Sequence, residues 1–259
     1  MLDHINILDE KHLEMVAKAI ADDRIRSSVQ DIRSAVATDE ILYGECLARL
    51  IDPDGKVYAA SEFVPYLEAR HDAPMLDRHM LKLVLDLLEV DPKLVLGCNL
   101  SAENVSNTPA WNAILVQILD RAYLARRLIL EMTETREWTN ISFCADVIAE
   151  VRGLGCRVAL DDFGAGFASP RIVQLIDFDI VKIDRAFIHD IRRSHDGSNS
   201  LRHIVAFASC FAPIVVVEGV ETVAQVETAQ LAGATHIQGH FFSVPVTATV
   251  GVPRIEDGS

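Results

Sequence analysis

Hydrophobic residues along this chain follow two periods. The first is a short apolar run that stops on a polar residue. Residues 158–160 (Val-Ala-Leu) run into Asp161 and Asp162, and Ile180-Val181 runs into Lys182-Ile183-Asp184. The same form recurs as Ile41-Leu42-Tyr43-Gly44 before Glu45, Leu94-Val95-Leu96-Gly97-Cys98 before Asn99, and Leu128-Ile129-Leu130 before Glu131. It appears again as Ile214–Val217 before Glu218 and Thr235-His236-Ile237 before Gln238. Short runs of this kind, bounded by turn signals, mark strands buried on both faces, with helical crossovers between them.

The second period is helical. Ile5, Leu8, Leu13, Val16, Ala19 and Ile20 predict a helix over residues 5–22, packed on the rest of the chain. A helix over 61–70 is expected to be capped by Ser61, with Glu62 in its first turn. Another over 74–89 buries Met75, Leu76, Met80, Leu83, Val84 and Leu87. Later helices fall near 110–121, 139–154, 170–176, 198–211 and 222–231. Residues 28–36 and 41–51 read as strands separated only by Ala37-Thr38-Asp39-Glu40, and so short a link forces an antiparallel pair. An all-parallel barrel cannot contain that pair. Asp52-Pro53-Asp54-Gly55 is a turn, residues 192–200 are a surface loop, and the chain past Val246 is polar and expected to fray.

Composition narrows the class. At 259 residues the chain suits one (β/α) barrel. The net charge of −14 argues against general binding to DNA, RNA or an anionic membrane. A polyanionic substrate then needs local cations, which metal ions with Arg49 and Lys182 would supply. The five cysteines (Cys46, Cys98, Cys144, Cys156, Cys210) lack CxxC spacing and fit reduced thiols in a cytoplasmic protein. The first residues carry Asp3, Asp9, Glu10 and Lys11, unlike a signal peptide. The most apolar stretch, 204–217, is 14 residues long and broken by Pro213, too short to span a bilayer. The expectation is a cytoplasmic protein with one domain over residues 1–259: a helix near 5–22, a barrel near 28–246 and a polar tail over 247–259.

The polar residues that end the runs carry the candidate chemistry. In a parallel barrel the strand C-termini gather at one face, where catalytic groups sit. Adjacent acids such as Asp161 and Asp162 repel by ~4 kcal/mol at a separation of about 4 Å and an effective dielectric of about 20. A cation is therefore expected beside them. Glu45, Asn99, Glu131 and Asp161 offer hard oxygen ligands of the kind that suit Mg²⁺ or Mn²⁺. Any one alone would read as a surface group after a strand. Lys182, ending a strand inside this acidic cluster, reads as a counter-ion to these acids. Arg49 lies four residues after Glu45, on the same strand face, where a guanidinium suits a phosphate; a plain surface arginine is the alternative. The nine histidines show no paired metal-binding spacing.

These same pieces resemble the EAL domains, which hydrolyse cyclic di-GMP. The resemblance runs from about Gln30 to Val246 through Glu45-Cys46-Leu47-Ala48-Arg49, Asn99-Leu100-Ser101 and Glu131-Met132-Thr133-Glu134. It continues in Asp161-Asp162-Phe163-Gly164-Ala165-Gly166, Lys182-Ile183-Asp184, Glu218-Gly219-Val220-Glu221 and Gln238-Gly239. It implies an α/β fold, a modified TIM-type (β/α)8 barrel with one antiparallel strand. It also implies a two-metal site of Mg²⁺ or Mn²⁺. Glu45, Asn99, Glu131 and Asp161 would hold the first ion, and Asp161 would share the second with Asp162. Lys182 would orient the attacking water, Glu218 would act as general base and Gln238 would position water. Arg49 and Leu47 would contact substrate, and Glu134 and Glu221 would anchor loops, Glu134 that over 163–169. A helix-end acid is the other reading of Glu134.

The implied activity is hydrolysis of cyclic di-GMP to linear pGpG by a homodimer. The rival is a silent receptor for the same dinucleotide that acts through a protein partner, a class that typically loses metal ligands. Every matched ligand is present here. The chain is read as stand-alone or as part of a larger protein with a regulatory domain. It departs from the family at Cys46, where alanine is usual, and at His240, where an aromatic is usual. The His240 change is expected to alter base stacking.

Overall fold

The structure is a computed structural model, which describes residues 13–133, 140–165, 170–242 and 246–248. The strands are β1 (Ile25–Ser34), β2 (Ile41–Ile51), β3 (Val57–Ala59), β4 (Leu96–Leu100) and β5 (Leu128–Met132), then β6 (Arg157–Phe163), β7 (Ile180–Ile183), β8 (Ile214–Val217), β9 (His236–Gln238) and β10 (Val246–Ala248). Eight of them close in the order β1-β9-β8-β7-β6-β5-β4-β2, with β2 returning to β1. β1 is antiparallel to both its barrel neighbours, and the other barrel pairings are parallel. The reversed strand expected from the four-residue link is therefore present. β3 folds back antiparallel on Arg49–Ile51 of β2, and β10 pairs with Ser27–Val29 of β1.

Around the barrel lie α1 (residues 13–21), α2 (Val64–Ala69), α3 (Ala73–Val90), α4 (Ala102–Ser106) and α5 (Thr108–Asp120), followed by α6 (Ile141–Leu154), α7 (Pro170–Leu175), α8 (Ala186–His189), α9 (Ser200–Ala208) and α10 (Val223–Ala232). Short polar side chains fix several starts. Asn107, Asn140 and Asn199 each accept from a backbone N–H three residues on, and Thr222 with Gln225 forms a reciprocal cap on α10. The outward faces of the strands pack under the helices in one core that includes Val158, Leu160, Leu130, Val181 and Val217. Among the described residues no helix is long and apolar enough to cross a membrane.

Two expectations change. Ser61 does not cap a helix: it lies in a 3-10 turn over Ala60–Glu62, and α2 starts after Phe63. Glu62 instead accepts from the Ala59 N–H at 2.7 Å, and Pro65 near the start of α2 favours a helix beginning there. The tail does not leave the sheet at Val246, because Val246–Ala248 pairs with β1. The strand expected over 41–51 is present with those bounds as β2, so Glu45 lies inside it although it ends the apolar run. β2 continues to Ile51, since β1 and β3 keep pairing with it after β4 stops at Cys46. The part of the first helix over 5–12, the tail past 248, Glu134 and loop residues 166–169 lie outside the described residues.

Candidate active site

Alternation along the strands builds the site in two tiers. Tyr43, Ile129, Ala159, Ile180 and Val216, with Ile32, form a separate buried cluster. Two residues further along the same strands come Glu45, Glu131, Asp161, Lys182 and Glu218. Strand residues i and i+2 share a face, so this apolar floor sets the heading of every polar group above it. Gly97 precedes Asn99 by the same step. On reversed β1 the order inverts: Ile32 is in the floor, and Gln30, two residues earlier, stands opposite Glu45 in the upper tier.

Lys182 is fully buried at the centre. Its Nζ lies 2.8 Å from Glu131 Oε2, 2.8 Å from Asp161 Oδ1, 2.9 Å from Glu218 Oε1 and 3.1 Å from Glu45 Oε2. Asn99 Nδ2 donates to Glu45 Oε1 at 2.7 Å, and Gln238 Nε2 donates to Glu45 Oε2 at 2.6 Å and to Gln30 Oε1 at 3.2 Å. Tyr43 donates its phenol O–H to Glu131 Oε2 at 3.2 Å. Burial pulls the Lys182 ammonium toward neutrality, but Asp161, Glu131, Glu218 and Glu45 together hold it well above its usual range.

The acids share one ammonium unequally. Burial works against the Glu45 carboxylate, yet Lys182 and the hydrogen bonds from Asn99 and Gln238 hold it below its ordinary value. Burial, reinforced by Glu45 and Asp161, pushes Glu131 up to about 8. Burial and the neighbouring Asp161 push Asp162 up to about 7. Burial also raises Asp161, and raises Glu218 well above the carboxylate range. One ammonium is too little positive charge for five buried or half-buried carboxyls.

The donor set fits hard divalent cations. Ligand oxygens of Glu45, Glu131 and Asp161 lie within 4.8 Å of one another, as do those of Asp161, Asp162 and Glu218, so the two groups share Asp161. Asn99 Oδ1, Glu131 Oε1 and Gln238 Oε1 are buried with no hydrogen-bond partner among the described residues. Buried acceptors are rarely left unpaired, and oxygen-only sites suit Mg²⁺, Mn²⁺ or Ca²⁺ over zinc. The adjacency of Asp161 and Asp162 has a structural cause. The β6–β7 register slips between Leu160 and Phe163, and Asp162 takes a left-handed backbone with φ of +54°. A bulge suspends the alternation that would send two neighbours to opposite faces, and aspartate is among the few non-glycine residues that adopt positive φ readily.

Glu45, Asn99, Glu131, Asp161, Asp162, Lys182, Glu218 and Gln238 are thus brought together. Arg49 and Leu47 lie further along the Glu45 face of β2, half-buried. The Arg49 guanidinium donates to the Ala48 carbonyl at 2.9 Å and pairs with no carboxylate among the described residues. Glu221 is exposed at the start of α10, its N–H donating to Gln225 Oε1. His240 is exposed. The sequence reading missed Gln30, Tyr43 and Gly97. Counting back two residues from each polar run-end would have placed Tyr43 and Gly97 beside the barrel axis.

The family profile described as the EAL domain matches residues 13–245. The chain belongs to the EAL domain family. This EAL domain is 29% identical over 238 residues to the cyclic di-GMP phosphodiesterase NbdA of Pseudomonas aeruginosa, covering 90% of this chain and 30% of that protein. It is 28% identical over 213 residues to the probable cyclic di-GMP phosphodiesterase PdeB of Escherichia coli, covering 81% of this chain and 40% of that one. The chain therefore spans less than half of either relative. Its fold is that of the FimX EAL domain from Pseudomonas aeruginosa bound to c-di-GMP, with a TM-score of 0.77, 20% identity, and coverage of 91% of this chain and 96% of that one.

Proposed function

We propose that this EAL domain is a metal-dependent phosphodiesterase that hydrolyses cyclic di-GMP to linear 5′-pGpG. The observation that carries the reading is the pair of oxygen-ligand groups joined at Asp161, with two buried acceptors, Asn99 Oδ1 and Glu131 Oε1, left over for a cation. Glu45, Asn99, Glu131 and Asp161 would hold one Mg²⁺ or Mn²⁺ ion, and Asp161 and Asp162 a second. Such a pair, when bound, stabilises both the attacking and the leaving oxygen of an in-line displacement. The names of the relatives and the dinucleotide in the FimX structure support the choice of substrate.

The side chains divide the remaining work. Glu218, raised in the metal-free site, would be held ionised by a bound divalent cation and then accept a proton from the attacking water as general base. Lys182, 2.9 Å from Glu218, orients that water and offsets negative charge. Gln238 spends its Nε2 on Glu45 and Gln30, so Oε1 is the atom left to accept from water. Arg49 takes a phosphate oxygen and Leu47 packs against the dinucleotide. Glu134 and Glu221 anchor the loops beside the site. The reading extends to a cytoplasmic homodimer without a nucleic-acid partner, consistent with the net charge of −14.

The test is direct. Pure protein is incubated with cyclic di-GMP and Mg²⁺ or Mn²⁺, and the products are separated. Linear pGpG is expected, and EDTA should abolish it. Tight binding of the dinucleotide without product, at high enzyme and with both metals, would overturn the enzyme reading in favour of a receptor.

A further inference from the structure

We propose that Tyr43 is a positioning residue that orients the Glu131 carboxylate for a divalent cation, an inference that rests on the metal-dependent reading above. Tyr43 alone among the buried residues of that apolar cluster carries a polar atom; its companions Ile32, Ile129, Ala159, Ile180 and Val216 are aliphatic. It is only 1% exposed. A buried phenol needs a partner for its O–H, and this one donates to Glu131 Oε2 at 3.2 Å. Lys182 Nζ reaches the same oxygen at 2.8 Å. Two donors on Oε2 fix the rotation of the carboxylate, and Oε1 is left with no partner among the described residues.

Gly97 on the adjacent strand makes the room. A Cβ there would stand 2.0 Å from Glu131 Oε1 and 2.7 Å from Tyr43 Cε2. Tyr43, Gly97 and Glu131 are therefore fitted to one another across β2, β4 and β5. An aliphatic residue at 43 would fill the floor equally well. What the tyrosine adds is a hydrogen-bond donor aimed at a ligand from below. Such outer donors fix ligand orientation, and their loss typically costs 10–100-fold in metal affinity or activity.

Tyr43→Phe keeps the ring and removes only the donor. The primary readout is Mn²⁺ affinity, measured by the electron-spin resonance signal of free Mn²⁺, with thermal melts in EDTA as the control. The expected result is Mn²⁺ binding weakened by roughly 10–100-fold with a nearly unchanged melting temperature in EDTA. Turnover should recover at high Mn²⁺, with KM for cyclic di-GMP at saturating metal unchanged. Tyr43→Met, which also fills the space without a donor, should give the same pattern and serves if the phenylalanine variant does not fold. Mn²⁺ affinity within about threefold of wild type, well inside the range expected for a lost outer donor, overturns the role of Tyr43 alone. Failure of both variants to fold also overturns it, making the phenol a requirement of the barrel. Absence of Mn²⁺ binding by the wild type overturns the metal reading itself, and Tyr43's role with it.

Discussion

Replacing Glu218 by glutamine separates proton transfer from binding. The amide keeps the shape of the carboxylate and still hydrogen-bonds to water, but it takes up no proton at neutral pH. General-base assistance is typically worth ~10²–10⁴ in rate, or roughly 3–5 kcal/mol of barrier. Turnover should fall by that factor while the dissociation constant for cyclic di-GMP, measured by calorimetry in Ca²⁺, moves little. An equal fall in both would make Glu218 a contributor to affinity and not the base. Lys182 is the other residue on which the site turns. Removing one partner of a buried charge cluster leaves the others uncompensated, and Lys182 faces four carboxylates at 3.1 Å or less.

At the scale of elements, the site depends on loops that are tied to each other behind the strands. Val220 N–H donates to the Gln238 carbonyl at 3.0 Å, and Phe241 N–H donates to the Val220 carbonyl at 3.1 Å. Gly239 lies so close to this seam that an added Cβ would stand 2.0 Å from Val220 O and 2.4 Å from its N. Gly239→Ala should therefore drive apart the segments that carry Glu218 and Gln238. The expected cost is of the size of overpacking a core, about 1–3 kcal/mol in stability, with a larger loss of turnover. A melt and a rate equal to wild type would show that the seam opens freely.

The polar ends of the apolar runs were legible because chemistry at a barrel mouth interrupts a hydrophobic pattern. The reversed strand was legible from a four-residue link. Gln30 was hidden by that same reversal, since in β1 the polar residue precedes its floor residue. Tyr43 was hidden because a tyrosine inside an apolar run passes for packing. β3, α4 and α8 are too short to impose a period.

For the molecule as a whole, the metal-free site sets a dependence of stability on pH. Glu131 and Asp162 keep their protons up to about 8 and about 7 in the folded chain, whereas unfolded carboxyls release theirs near pH 4. Between those values the folded state binds more protons, so stability falls as pH rises through the window. Asp77, buried between α3 and β4 and pushed up to about 7 by that burial, adds the same sign. Glu45 has the opposite sign, with its contribution already in place above its unfolded value. Lys182, held well above its usual range, contributes stability that is lost only at strongly alkaline pH. Melting in EDTA should therefore decline from pH 5 to pH 8.5. Mg²⁺ or Mn²⁺ should flatten the decline and raise stability by about 2.7 kcal/mol at a hundredfold excess over the dissociation constant. A flat or rising melt in EDTA would mean that these carboxyls are already ionised without metal.

The two tiers also bear on how such a barrel can change over generations. Closure of the cylinder is carried by the floor and by the apolar faces under the helices, while the acids above add repulsion and the cost of burying charge. Losing an acid from the upper tier subtracts from the chemistry and relieves part of that repulsion, while the floor and the apolar faces go on closing the cylinder. On the proposed reading the mouth is free to drift toward silence, and selection for turnover keeps five carboxyls crowded round one lysine.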